Sequence, residues 1–151
     1  MQTSNFIGFM LEKAAERGVK RVLLFGHIGK LCKVAAGVFY THNRIADARL
    51  ETIAAYAAAA GLSTAGTRRV LASNATEEAL TVLREAGLEQ TVCTSIAERA
   101  GLRAERYLFG KMKVGVVMVT LQGRLLGMNE VAREIGEKYH WHLPEQEREH
   151  E

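Results

Sequence analysis

Several things are scarce in this sequence of 151 residues, and each absence narrows what the chain can be. No apolar run approaches the roughly 18 to 20 residues that cross a bilayer. The opening MQTSNFIGFMLEKAAERG also lacks a basic stretch followed by an unbroken apolar one. Neither a membrane partner nor a secretory leader is expected, and the chain reads as cytoplasmic. Its two cysteines, Cys32 and Cys93, stand far apart in apolar surroundings and outside any CxxC pair. Neither a metal cluster nor a disulfide framework is therefore expected, and both are expected to be reduced core or near-core thiols. The formal charge is only +3, and the basic residues are not interleaved with aromatics, which argues against a nucleic-acid partner. There is no internal repeat and no linker.

What is present is 48% hydrophobic content, enough for one ordinary core and hence one domain over residues 1–139, followed by a charged tail, 140–151. The tail begins HWH. Two histidines two apart supply two metal ligands with no third nearby, so no protein-bound metal is expected.

Apolar spacing predicts the elements. Ile7, Met10, Leu11 and Ala14 recur at helical intervals before Gly18. VKRVLLFG then carries a continuous apolar run ending in glycine, the pattern of a parallel strand covered on both faces. Helical spacing resumes at Ile45, Leu50, Ile53, Ala54 and Ala57, and a short helix is expected over 63–73. Asn74 with Glu77 reads as a capping pair before Leu80 and Leu83, and Gly101 reads as a break in the next helix. KVGVVMVTLQG is a second strong strand, RLLGM a third after a turn at Gln122 and Gly123, and Asn129 a cap for a last helix through Tyr139. The class is α/β, with a small, mostly parallel sheet flanked by helices. Two or three strands are few for five or six helices. The sheet is therefore expected to belong to an incomplete domain of a longer parent, or to be completed by a partner chain. The other reading is a mostly helical domain with a small sheet. A narrow sheet with an unpaired edge also predicts a homo-oligomer.

Chemistry concentrates just past the first strand. Gly26, His27, Gly29 and Lys30 form a G-x-x-G-K segment that is not a Walker loop, because the glycines are too close and Leu31 stands where Ser or Thr should. Two readings stand for residues 26–30, a tight structural turn or an anion site at the carboxyl end of a strand. Lys33, Arg44 and Arg49 add cations to Lys30 within twenty residues, and such a cluster attracts an anion. Thr41, His42, Asn43 and Arg44 are expected in a loop or at the start of a helix. Arg44, Asp47 and Glu51 are spaced for a local ion-pair network on one helix face. His42 has the ordinary histidine options, a base, an orienting donor or a half-buried residue.

The string TSNFIGFMLEKAAERGVKRVLLFGHIGKLCKVAAGVFYTHNRIADARLE, residues 3 to 51, resembles the C-terminal part of the cobalt-precorrin-5B C(1)-methyltransferases, formerly called cobalt-precorrin-6A synthases. NATEEAL at 74–80 and VGVVMVTLQGRLLGM at 114–128 continue the resemblance more weakly, and Tyr40, Asn43 and Cys32 depart from the family pattern. The resemblance implies an enzyme of cobalamin biosynthesis, an S-adenosylmethionine-dependent transfer of the C(1) methyl to cobalt-precorrin-5B, and cobalt present only within the substrate. It also implies a parent roughly twice as long. A chain lacking the N-terminal half is expected to be inactive alone and to need that half or another chain. The alternative is a non-catalytic tetrapyrrole- or nucleotide-binding module. The substrate implied is a macrocycle ringed with carboxylates, so Lys30, Lys33, Arg44 and Arg49 become candidate contacts. His27 and His42 are candidates to manage a proton, and Asp47 to hold Arg44 or a cofactor hydroxyl.

Overall fold

The computed structural model describes residues 4–141; residues 142–151 of the charged tail, including His142 of the HWH segment, lie outside the described residues. Helix α1 (Ile7–Glu16) leads into strand β1 (Arg21–His27), and helix α2 (Ile28–Ala35) begins on the next residue. Helices α3 (Arg49–Ala59), α4 (Thr64–Ala72), α5 (Thr76–Glu85) and α6 (Glu89–Tyr107) follow. Strands β2 (Lys113–Val119) and β3 (Leu125–Met128) and helix α7 (Glu130–Tyr139) complete the described residues. The α/β class stands, and the sheet is small and mixed. Its order is β1-β2-β3, with β1 parallel to β2 from Arg21↔Lys113 to His27↔Val119, and β3 antiparallel to β2.

β2 is the central strand, and its continuous run of valines is what burial on both faces requires. Val114 through Val119 are all buried. On one face lie α2 and α6; on the other, α7. The glycines of this layer allow close approach. A Cβ on Gly115 would sit 3.1 Å from Ala132 Cα, so α7 rides directly on β2. A Cβ on Gly101 would meet Asn129 Nδ2 at 2.3 Å and the Val114 carbonyl at 2.9 Å. This corrects the sequence reading of Gly101 as a break, because α6 runs through it unbroken. The glycine makes room for the sheet.

Asn129 is the side chain that needs that room. It caps α7 by accepting from Ala132 N–H at 3.0 Å, accepts from Val116 N–H at 2.8 Å, and donates to the Val114 carbonyl at 2.9 Å. One buried amide thus joins a strand, a helix end and the floor of another helix.

Other expectations need correction. β1 is an edge strand, not one covered on both faces: only Leu24 is fully buried, and Phe25 is 60% exposed because α7 sits over β2. The helix expected from Ile45 begins at Arg49, leaving Ile45 exposed in a turn. Residues 26–30 form no turn, since the strand runs through His27 and α2 starts at Ile28. Before α5, the capping contact comes from Glu78, whose Oε2 accepts from Asn74 N–H at 2.8 Å, and Glu77 faces elsewhere.

α1 packs on the α2/α6 face. Gly8 N–H donates to the Phe39 carbonyl at 3.1 Å. The Phe39 ring stacks on Tyr107 with centroids 4.1 Å apart, and the Tyr107 hydroxyl donates to Glu12. That bond to a carboxylate pushes the Tyr107 hydroxyl up to about 12. Cys32 and Cys93 are buried and unpaired, and burial raises both thiols to about 12, which leaves them unreactive near neutral pH. Among the described residues no helix is long and apolar enough to cross a membrane, and no group of three or more metal-ligating side chains occurs.

Asn129→Ala would remove a cap and strand two buried backbone groups, so an unfolding free energy lower by about 3 kcal/mol is expected from urea titration. Gly101→Ala, which gains about 1 kcal/mol of helix propensity at an exposed site, is expected to destabilise here because its methyl would collide with Asn129 and the β2 backbone. Unchanged midpoints for both would refute this account of the layer.

Candidate functional site

β1 and β2 are parallel and end together at His27 and Val119, and the carboxyl edge of such a pair is where helix N-termini converge. α2 starts at this edge. α5 reaches it from the side: Glu77 Oε1 accepts from Leu121 N–H, just past β2, at 3.5 Å. Gly29, in the first turn of α2, is closely surrounded. A Cβ there would lie 3.1 Å from His27 Nδ1 and 3.7 Å from Thr76 Oγ1. Gly26 has ordinary space, with Leu31 side-chain atoms 3.8 Å from a Cβ.

His27 is half-buried at this junction. Burial lowers its pKa most; the Lys30 and Arg49 charges lower it further, and Glu77 opposes them. The imidazole is thus neutral at neutral pH, able to accept a proton or a hydrogen bond and contributing no charge.

The two lysines of α2 take different roles. Lys30 Nζ donates to the Ser4 carbonyl at 2.7 Å while remaining partly exposed. Lys33 is 1% exposed, and its ammonium donates to the Thr41 carbonyl at 3.0 Å and to Asn43 Oδ1. Burial lowers the Lys33 pKa, with Asp47 opposing. Thr41 is itself tied to the N-terminal segment, its N–H donating to the Asn5 carbonyl at 3.1 Å and its hydroxyl to Asn5 Oδ1 at 3.3 Å. An isolated antiparallel bridge joins Phe6 and Tyr40 beside it. Residues 4–6 and 40–43 therefore lie together against α2, held by its lysines.

Past this layer the chain turns. His42 is exposed; its carbonyl accepts from Ile45 N–H at 2.9 Å and its Nδ1 from Arg44 N–H at 3.2 Å. The sequence reading pairs Arg44 with Asp47 and sets Asp47 on a helix face with Glu51. The turn at 43–45 undoes both, because α3 starts only at Arg49. Asp47 instead takes Arg49 bidentately, both N–O distances 2.7 Å, and this bond holds its carboxyl down at about 2. Arg44 is left exposed, its guanidinium without a hydrogen bond or ion pair among the described residues. Of the four candidate cations, Lys33 and Arg49 are committed to internal oxygens, Lys30 is partly committed, and Arg44 is free.

Thr76 and Glu77 were not anticipated at this edge. No local spacing signals them, since only the return of the chain through α5 brings them to β1 and β2. A cavity of about 280 Å³ lies elsewhere, between α4 and α5, lined by Arg69, Ala72, Ser73, Glu78, Thr81 and Val82.

A family profile described as CbiD, C-terminal domain, matches residues 40–130. A protein of Moorella thermoacetica named cobalt-precorrin-5B C(1)-methyltransferase is 50% identical over 133 residues, 88% of this chain and 36% of the relative. Proteins of the same name are similar in Desulfitobacterium hafniense, at 41% identity over 99% of this chain and 38% of the relative, and in Methanocaldococcus jannaschii, at 39% over 84% and 35%. No solved structure matches. The chain spans little more than a third of the length of the relatives it matches, and the resemblance read from residues 3 to 51 is borne out. A profile covering more than half of the sequence, and relatives aligned along nearly all of it, establish that this chain belongs to the CbiD C-terminal domain family.

Proposed function

We propose that this chain serves the C(1) methylation of cobalt-precorrin-5B in cobalamin biosynthesis as one part of a cytoplasmic methyltransferase, holding carboxylates at the rim of the corrinoid. The observation that carries the reading is the alignment of 88% of the chain with a relative of that name. The chemistry at the carboxyl edge is compatible with it. A macrocycle bearing several ionised carboxylates calls for cations with uncommitted donors, and of the four candidates the exposed Arg44, in the turn that follows α2, and the partly exposed Lys30 come nearest to that. Lys33, Asp47 and Arg49 support the loop from which Arg44 projects. His27, neutral and beside Gly29 and Thr76, is suited to accept a proton or orient a carboxyl group.

The methyl donor in this reading is S-adenosylmethionine, which carries its methyl on a positively charged sulfur. The described residues fit the donor less well than the carboxylates, since the cavity between α4 and α5 is lined by none of the edge residues. No side chain of this chain is assigned to the donor. The chain alone is accordingly expected to give no methylated product from cobalt-precorrin-5B and S-adenosylmethionine, and robust turnover by it would overturn the division of labour proposed here.

Binding can be tested without turnover, using cobyrinic acid, a corrin whose acetate and propionate side chains are free carboxylates, in calorimetric titrations. Lys30→Gln and Arg44→Gln are each expected to weaken binding by on the order of 1 to 3 kcal/mol if the contact is desolvated, with the melting temperature nearly unchanged. Lys33→Met is expected to behave oppositely, lowering stability because the Thr41 carbonyl loses its donor. If the first two variants bind normally and melt early, the edge is scaffold and the reading fails.

Acid titration isolates the support of the loop. The Asp47 carboxyl sits at about 2 in the fold against an ordinary 3.8, so its contribution is complete above the higher value and is lost as pH falls from about 4 towards 2. The side chain is 44% exposed, so the effect is expected to stay below about 1 kcal/mol. Urea midpoints of the native chain and Asp47→Asn should differ at pH 6 and converge near pH 2.

A further inference from the structure

The sheet ends on β1 at one side and on β3 at the other, and it is the β1 edge that invites another strand. Among the described residues β1 pairs with β2 on one side only. Its side chains also lack cover on the face where α7 lies. Leu23 belongs to that face, because a Cβ on its partner Gly115 would meet Leu23 Cδ1 at 2.9 Å and Ala132 of α7 at 3.1 Å. Phe25, two residues on, shares the face. It is 60% exposed, whereas Val117, paired with it on β2, is fully buried. An apolar side chain of this size, next to an unpaired row of backbone groups, is a site for strand addition.

The connections say which strand fits. The chain passes from β1 to the parallel β2 over the face that carries α2 and α6, and parallel crossovers take one hand in nearly all proteins. α1 lies on that same face, with Gly8 against Phe39 and Tyr107 and Glu12 accepting from the Tyr107 hydroxyl. A strand leading into α1 with the same hand would therefore lie on the side of β1 away from β2, parallel to it. Its end is marked as well. Lys30, at the carboxyl end of β1, holds the Ser4 carbonyl at 2.7 Å, so the polypeptide enters α1 from the edge at which a strand parallel to β1 would finish.

The relatives supply the chain for it. This sequence covers only 36% of the Moorella thermoacetica protein, and the C-terminal domain profile starts at residue 40, after α1, β1 and α2. We infer that the open edge of β1 is the docking surface for a parallel strand from the part of a CbiD-type chain that lies immediately before the counterpart of α1, and that Phe25 is buried by the same union.

Amide hydrogen exchange on this chain and on the intact Moorella thermoacetica relative tests the inference. In this chain the β1 amides that do not face β2 are expected to exchange freely at every protein concentration. In the intact relative the aligned amides should exchange roughly tenfold or more slowly than here, as amides of a paired strand do. A second measurement uses the aromatic. Phe25→Asp should leave the melting temperature of this chain unchanged, while aspartate at the aligned position should lower that of the intact relative. Equally fast exchange in both proteins would overturn the inference. So would protection in this chain that grows with its concentration, since that would put a second copy on the edge. So would an aligned aspartate that leaves the relative as stable as before.

Discussion

A lysine ammonium withdrawn from water is tolerated only where oxygens replace the lost hydration, and this requirement at Lys33 shapes the whole carboxyl edge of the sheet. Two oxygens meet it, the Thr41 carbonyl and Asn43 Oδ1, and both belong to the loop that follows α2. The loop must therefore fold back over the helix it has just left. In doing so it brings Thr41 against Asn5 and Tyr40 against Phe6, so the start of the described chain is fixed by the same charge. Removing the lysine would free the loop and loosen the N-terminal segment with it. The cost of burial appears in the lowered pKa of Lys33, and the nearby Asp47 offsets part of it.

Behind this edge the sheet is rigid where it is central and exposed where it is peripheral. β2 is clamped between α6 and α7, and the Asn129 side chain satisfies backbone groups at Val114 and Val116 that could not otherwise be buried. β1 is held to β2 along seven residue pairs but is half open on its outer side. The candidate site groups sit at the junction of the two regimes, near the carboxyl ends of both strands. A rigid central strand fixes His27 and the first turn of α2, while Arg44 projects from a turn held only through Lys33 and the Asp47–Arg49 pair.

Much of this was legible from spacing. The valine run of β2, the cap at Asn129, the helical intervals of α1, the short helix expected over 63–73 and the third strand after Gly123 are local features, and each formed as read. α2 was equally legible, since Ile28, Leu31, Cys32 and Ala35 follow helical intervals, but the glycines and lysines among them suggested a loop. The remaining departures share a cause. Gly101 looks like a breaker until Asn129, far along the chain, needs its space. Arg44 and Asp47 look like helix neighbours only if the chain there is helical, and the pull of Lys33 on Thr41 and Asn43 makes it a turn instead. Likewise, nothing near Lys33 in sequence reveals that its charge would be buried, because its partners meet it only through the reversal of the loop.

The open edge and the cation-bearing edge are not independent features. A strand laid parallel to β1 on its outer side would end beside Ser4, and Ser4 is already in the hand of Lys30. Joining that strand would therefore fix the position of Lys30 and wall the side of the carboxyl edge nearest to it, leaving Arg44 at the rim. Water would then be excluded from one flank of the charges, and an ion pair formed there would be stronger than the same pair on the open surface. On this argument the affinity proposed for the edge towards a polycarboxylate would depend on the strand inferred beside β1. A chain of this family that carries the cations without the strand would hold such a ligand weakly, even with every contact residue in place.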